Sequence, residues 1–105
     1  MVRGDVYGIK LPSKRGHVQS GRRYAIVVQA DDLLSLSTAV ICPTSRSAFS
    51  ASFHPEVTIE DQPTQVLCEM VGAVDARVLG EHTGHLSYDE LRRVEDALLL
   101  VLDLA

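Results

Sequence analysis

Two short apolar runs set the limits on what this chain can become. Gly21-Arg22-Arg23-Tyr24-Ala25-Ile26-Val27-Val28 and Thr38-Ala39-Val40-Ile41-Cys42-Pro43-Thr44-Ser45-Arg46 are each rich in β-branched residues and bounded by turn or breaker residues. Runs this short with that composition read as buried strands. The first carries Arg22 and Arg23 at its entrance, and the second carries Thr44, Ser45 and Arg46 at its exit. If the two pair antiparallel, entrance and exit lie side by side. Two guanidinium-bearing segments and two hydroxyls then meet at one end of a sheet. That is an anion site in outline, and phosphate is the anion it suits.

The rest of the chain surrounds this pair with short elements. Asp5 to Leu11 alternates, which predicts a strand with Tyr7, Ile9 and Leu11 facing the core and Val6, Gly8 and Lys10 on the other side. Pro12 ends it, and the polar stretch from Pro12 to Gly21 is too long for a tight hairpin, the length at which loops in small domains tend to carry function. The second strand is expected from Arg23 to Ala30, a helical turn capped by Asp31 at 31–34, and the third strand from Thr38 to Cys42. Thr44 to Ser52 reads as a flexible or edge segment. Phe53 to Ile59 reads as a strand weakened at its start by His54 and Pro55, 60–64 as a turn, and Gln65 to Val71 as another strand. Val74 to Gly80 suggests a helical turn closed by Gly80, and Glu81 to Leu86 a last short strand.

Ser87-Tyr88-Asp89-Glu90 is a capping box, and Leu91, Val94, Ala97, Leu98, Val101 and Leu102 follow it at helical spacing. Leu99, Leu100 and Leu104 widen the apolar surface beyond one stripe, as in a helix packed on both sides or one that joins an oligomer contact. Five to seven short strands followed by one helix in 105 residues predict one domain over 1–105: a small, twisted or barrel-like antiparallel sheet with a C-terminal helix.

Composition narrows the function. The net charge of −4 argues against a generic nucleic-acid coat. The distribution says more. Residues 1–50 hold seven Lys/Arg and three Asp/Glu, for +4, whereas residues 51–105 hold three and eleven, for −8. Arg3 and Lys10 read as solvated surface charges, while Arg22, Arg23 and Arg46 cluster where an anionic partner would bind. No apolar run approaches the roughly 18–20 residues of a membrane span. Met1-Val2-Arg3-Gly4-Asp5 leads straight into a strand pattern, so no signal peptide and a cytoplasmic location are expected. Cys42 and Cys68 each sit in an apolar run and read as core residues rather than a disulfide or a nucleophile. His17, His54, His82 and His85 lack carboxylate or thiol partners at ligand spacing, so no metal site and no cofactor are expected.

The positive case is metal-free phosphodiester chemistry. Cleaving RNA through its own 2′-hydroxyl requires removal of the 2′ proton, protonation of the 5′ oxygen, and stabilisation of the charge that builds on phosphorus. Arg23 and Arg46 suit the third task, and Thr44 can hydrogen-bond a phosphate oxygen. His17 and Glu69 are the available proton carriers. Arginine has too high a pKa to be an ordinary base, so Arg23 reads as charge stabiliser, with proton donation as a second role.

The pattern resembles a known family. Arg3-Gly4-Asp5-Val6-Tyr7, then Gly16 to Val28, then Ile41-Cys42-Pro43-Thr44-Ser45, then Val66-Leu67-Cys68-Glu69-Met70 with Val74-Asp75 are similar, in that order, to the motifs of the MazF/PemK toxin endoribonucleases. Val18, Tyr24 and Met70-Val71-Gly72 stand where that family carries a glutamate, a proline and Q-x-R. The resemblance implies an SH3-like antiparallel barrel with a C-terminal helix, a homodimer, metal-independent cutting of single-stranded RNA, and a cognate antitoxin. By position it makes Arg23 and Thr44 the main catalytic pair, with His17 and Glu69 matching the residues given supporting or acid–base roles in some members. Gln19, Arg22, Ser45 and Arg46 are expected to bind the RNA. The competing reading is a non-enzymatic toxin of the related CcdB kind, which poisons a DNA topoisomerase by protein binding. That kind depends on C-terminal residues, often tryptophan, and this chain closes on Leu102-Asp103-Leu104-Ala105. A third reading, an inactive partner-binding module, is opposed by the intact Arg23 and Thr44.

Overall fold

The structure is a computed structural model, and it describes residues 1–9 and 23–104. The polar stretch after the first strand, with Leu11, His17, Gln19 and Arg22, lies outside the described residues. Among the described residues seven strands form one curled antiparallel sheet: β1 (Asp5–Ile9), β2 (Tyr24–Val27), β3 (Thr38–Ser45), β4 (Glu56–Ile59), β5 (Gln62–Val66), β6 (Gly72–Asp75) and β7 (Leu79–His85). The helix α1 (Tyr88–Val101) closes the chain. The strand order is β4-β5-β3-β2-β1-β7, with β6 pairing β3 off that path. This half-barrel carrying one C-terminal helix is the architecture expected from the sequence.

β3 is the hub, because it changes neighbours along its length. One edge pairs with β2 in the register Ala25↔Pro43, Ile26↔Cys42 and Val27↔Ile41. The other edge takes β6 from Thr38 to Ile41 and β5 at Thr44 and Ser45. The strand therefore runs past Cys42, where the proline suggested a stop. Val28 N–H donates to Val40 O at 3.0 Å, which marks that pair as hydrogen-bonded. Alternation then makes Ala25↔Pro43 a non-hydrogen-bonded pair, where β2 needs no N–H from residue 43. On the other edge Pro43 contributes only its carbonyl, which accepts the Leu67 N–H at 2.8 Å.

Both faces of the sheet are covered. Tyr24, Ile26 and Val28 pack toward α1 with Val6, Cys42, Val57, Val66, Val94 and Ala97. Ala25 and Val27 alternate onto a second cluster with Ile9, Ala39 and Ile41. This corrects the single core face assigned to β1: Val6 belongs to the main core, and Tyr7 is half-buried beside the other cluster. Burying such residues is worth about 1.5–3 kcal/mol per large side chain, which is why the two apolar runs set the fold.

Local geometry revises other boundaries. β4 begins only at Glu56. The expected turn over 60–64 is the two residues Glu60 and Asp61, both with positive φ (50° and 64°), and Gln62-Pro63-Thr64 already belongs to β5. Two residues of that conformation match the twist of the flanking strands. The expected strand over 65–71 ends at Val66 and gives way to a 3-10 turn, Cys68–Met70. Val74 and Asp75 are strand, only Ala76–Val78 is helical, and Gly80 lies inside β7 rather than closing a turn. The turn Asp31–Leu33 is capped by Ala30; Asp31 instead accepts the Arg3 N–H at 2.7 Å. Arg3 is no free surface charge, since it also bonds Val28 O at 3.1 Å and pairs with Glu95 of α1. Gly4 has φ +96°, and a Cβ there would fall 2.9 Å from His85.

The capping box is present: Ser87 Oγ accepts Glu90 N–H at 3.1 Å, and Glu90 accepts Ser87 N–H at 2.9 Å. Glu90 also accepts Thr58 N–H at 2.8 Å, which ties the start of α1 to β4. No helix among the described residues is long and apolar enough to cross a membrane.

Candidate active site

The antiparallel pairing of β2 and β3 brings Arg23 beside Thr44. Arg23 Nη1 donates to the Thr44 carbonyl at 3.0 Å, and its other N–H donors have no hydrogen bond among the described residues. Thr44 is 1% exposed, and its hydroxyl donates to Tyr24 O at 3.2 Å. The one hydroxyl proton is thus committed, and bonding a phosphate oxygen requires that bond to be exchanged. Tyr24 is itself fixed, because its buried ring sends a hydroxyl to Glu60 in the β4–β5 turn. At the end of β3, Ser45 Oγ accepts Ser47 N–H at 3.2 Å. Arg46 is exposed and has no hydrogen bond or ion pair among the described residues.

Glu69 lies on the 3-10 turn that follows β5, which the Leu67–Pro43 bond holds against β3. Its carboxylate is not free. Both oxygens accept from His54 Nε2, at 3.0 and 2.9 Å, while His54 Nδ1 faces Phe49 O at 2.7 Å. A ring with acceptors at both nitrogens satisfies them by carrying a proton on each. Burial pushes the His54 pKa down, but the Phe49 carbonyl and the Glu69 carboxylate outweigh it and hold it above the ordinary histidine value. His54 is 5% exposed, so the ring is held inside the fold. Behind it, Cys42 and Cys68 are both buried free thiols. Hydrogen bonding to Cys68, then burial and nearby negative charge, push the Cys42 thiol up, which suits core residues and not nucleophiles.

Sequence reasoning missed the His54–Glu69 pair. Its members lie fifteen residues apart on unrelated segments, and His54 read only as a poor start to a strand. It also missed a second cluster, at the β1–β7 edge. Asp5 Oδ1 accepts from His82 Nε2 at 3.1 Å and from His85 Nδ1 at 3.0 Å, so these histidines do have a carboxylate partner, supplied by β1. A bulge in the β1–β7 register between Val6 and Tyr7 brings both rings to one carboxylate. Among the described residues no group of three or more His, Cys, Asp or Glu is arranged to hold a metal ion. Of the expected site residues, Arg23, Thr44, Ser45 and Arg46 are brought to one end of β3, while Glu69 lies on the turn packed along the same strand and is bonded to His54. His17, Gln19 and Arg22 fall outside the described residues.

The family described as PemK-like, MazF-like toxin of type II toxin-antitoxin system matches residues 2–102. The chain belongs to this toxin family. Rv3098A of Mycobacterium tuberculosis strain H37Rv, a candidate toxin, is 34% identical over 106 residues, covering 99% of each chain. A mycobacterial endoribonuclease solved in complex with its cognate antitoxin superposes with a TM-score of 0.83 at 17% identity, covering 100% of this chain and 97% of the other. MazF from Deinococcus radiodurans gives 0.79 at 22% identity, with 98% and 96% covered. At those identities the superpositions establish the shared fold, a MazF-like half-barrel with a C-terminal helix.

Proposed function

We propose that this MazF/PemK-like chain is a sequence-specific endoribonuclease that cuts single-stranded RNA, acts in the cytoplasm as a homodimer, and is held in check by a cognate antitoxin. The observation that carries the reading is the contact of Arg23 with Thr44 beside the exposed Arg46. It holds the Arg23 guanidinium at the strand end that carries Thr44, Ser45 and Arg46, and once the Thr44 hydroxyl exchanges its bond to Tyr24 O the group offers what a phosphodiester needs as charge develops on phosphorus. In the proposed reaction the substrate's 2′ oxygen loses its proton and bonds to phosphorus. The bond from phosphorus to the 5′ oxygen breaks, and that oxygen takes up a proton. The products are a 2′,3′-cyclic phosphate and a 5′-hydroxyl. Arg23 stabilises the dianionic phosphorane, Thr44 donates to one of its oxygens, and Glu69 and His17 carry protons. His54, which bonds both oxygens of the Glu69 carboxylate, orients it for that role. Because the nucleophile belongs to the RNA, no metal is required.

The test is to induce the protein, map the 5′ ends that appear in total RNA, and identify the end groups. Discrete cuts with 5′-hydroxyl ends, unchanged in excess EDTA, are expected. Cleavage lost on chelation and restored by magnesium, or 5′-phosphate ends, would refute this chemistry.

A further inference from the structure

The segment that leaves β3 after the Thr44–Ser45–Arg46 exit carries an aromatic group that the proposed reaction does not use. The chain has two phenylalanines and no tryptophan, and both phenylalanines lie here. Phe49 is 68% exposed, unusual for a ring that is nevertheless fixed. Its carbonyl takes the His54 Nδ1–H at 2.7 Å. Its ring meets the His54 ring at 4.8 Å between centroids and the Phe53 ring, edge-on, at 6.1 Å. Phe53 and His54 pack on each other at 4.6 Å, and His54 is anchored from beneath by Glu69. One side of Phe49 is braced and the rest faces water.

We propose that Phe49 is a stacking platform for one base of single-stranded RNA, set beside the phosphate-binding Arg46 and held in place by His54. The inference rests on the RNA reading above and adds to it a base subsite. Exposed aromatic rings that flank cationic side chains are how single strands are held without base-pair readout, since every base has a π-face. Phe49 stands three residues after Arg46, at most about 10 Å along the chain, so a base on the ring leaves a neighbouring phosphate within reach of the guanidinium. The His54 link also couples the platform to Glu69, so base binding and the carboxylate share one support.

The experiment uses a labelled, fully 2′-O-methylated RNA of random sequence, which offers no nucleophile and is not cut, and a matching abasic strand. Anisotropy titrations over a range of salt compare the native protein with Phe49→Ala, Phe49→Leu and Phe49→Tyr. Phe49→Ala and Phe49→Leu should bind the base-bearing strand about 5- to 150-fold more weakly, with an unchanged salt slope, and should lose the preference over the abasic strand. Phe49→Tyr should bind as the native protein does. Arg46→Ala should instead flatten the salt slope. Native binding that persists in Phe49→Ala overturns the platform and leaves the RNA reading standing. No binding by the native protein at low salt overturns both. Unchanged RNA binding with loss of dimerisation or of antitoxin binding assigns the ring to a protein contact and also overturns the proposal.

Discussion

Replacing Thr44 with valine separates the stability of the site from its chemistry. The two side chains have nearly the same shape, so Thr44→Val deletes the hydroxyl and leaves the core packing of a residue that is 1% exposed. What is lost to the fold is the hydrogen bond to Tyr24 O at 3.2 Å. A neutral hydrogen bond nets about 0.5–1.5 kcal/mol. For a domain near 100 residues that corresponds to a fall in Tm of roughly 4–8 °C per kcal/mol. A protein with about 5–15 kcal/mol of stability remains folded at 25 °C after such a loss. What is lost to the chemistry, if the hydroxyl donates to charge building on a phosphate oxygen, is about 10²–10³ in cleavage rate. The two effects differ so much in size that partial unfolding cannot imitate the second. Melting followed by circular dichroism gives the first number, and single-turnover cleavage of labelled RNA at 25 °C gives the second. Thr44→Ser, which keeps the hydroxyl, should retain most of the cleavage. Cleavage by Thr44→Val within threefold of the native rate would refute the role of Thr44, and a serine variant as inactive as the valine one would show that shape, not the hydroxyl, matters.

Other outcomes follow from the same geometry. His54 has a raised pKa because its bonds to Phe49 O and Glu69 outweigh burial, so the stability of this pairing is complete below the unfolded histidine value of about 6.5 and is lost as pH rises through the higher folded value. Urea unfolding from pH 5.5 to 8.5 should show the gap between native protein and His54→Gln shrinking with pH; a constant gap contradicts the cationic assignment. Asp5 shows the opposite sign: burial raises its pKa, but His85, the Val2 N–H and His82 outweigh it and the net shift is downward. Its contribution is present above about pH 3.9 and fades as pH falls through the lower folded value, so Asp5→Asn should flatten the acid limb of the stability curve. Leu100 and Leu104 stand 57% and 70% exposed on and beyond α1. Leu100→Glu should turn a dimer into a monomer by light scattering at micromolar concentration if that surface is the contact between copies, and an unchanged mass would place the contact elsewhere.

The sequence made legible what depends on local pattern. The β2–β3 pairing follows from two β-branched runs with clear ends, and α1 follows from a capping box and its apolar spacing. Arg23 and Thr44 come together because antiparallel pairing alone requires it. The parts that were not legible depend on what lies across the fold. Whether Val6 points into the core depends on there being cover on both sheet faces, which no alternation within β1 reveals. The Glu60-Asp61 turn needs two left-handed non-glycine residues, which composition does not announce. His54 finds Glu69, and Asp5 finds His82 and His85, across separations of 15, 77 and 80 residues, through strand register and bulges.

Pro43 shows why the site sits where it does. Upstream of it β3 pairs with β6, and downstream with β5. A strand that changes neighbours leaves an interval along that edge in which neither partner runs alongside. Here the interval is filled by the chain coming off β5, through Leu67 N–H to Pro43 O. A residue with an N–H at this position would place one more donor at the seam, and proline removes that demand. The segment that fills the seam continues into the 3-10 turn that carries Glu69, and the strand that creates it ends in Thr44, Ser45 and Arg46. The change of partner therefore accompanies the curl of the sheet, and it lays the turn that carries Glu69 along β3, the strand that ends in Thr44 and Ser45. In this chain the proline that follows the expected strand end at Cys42 is what lets β3 run on through the change of neighbours.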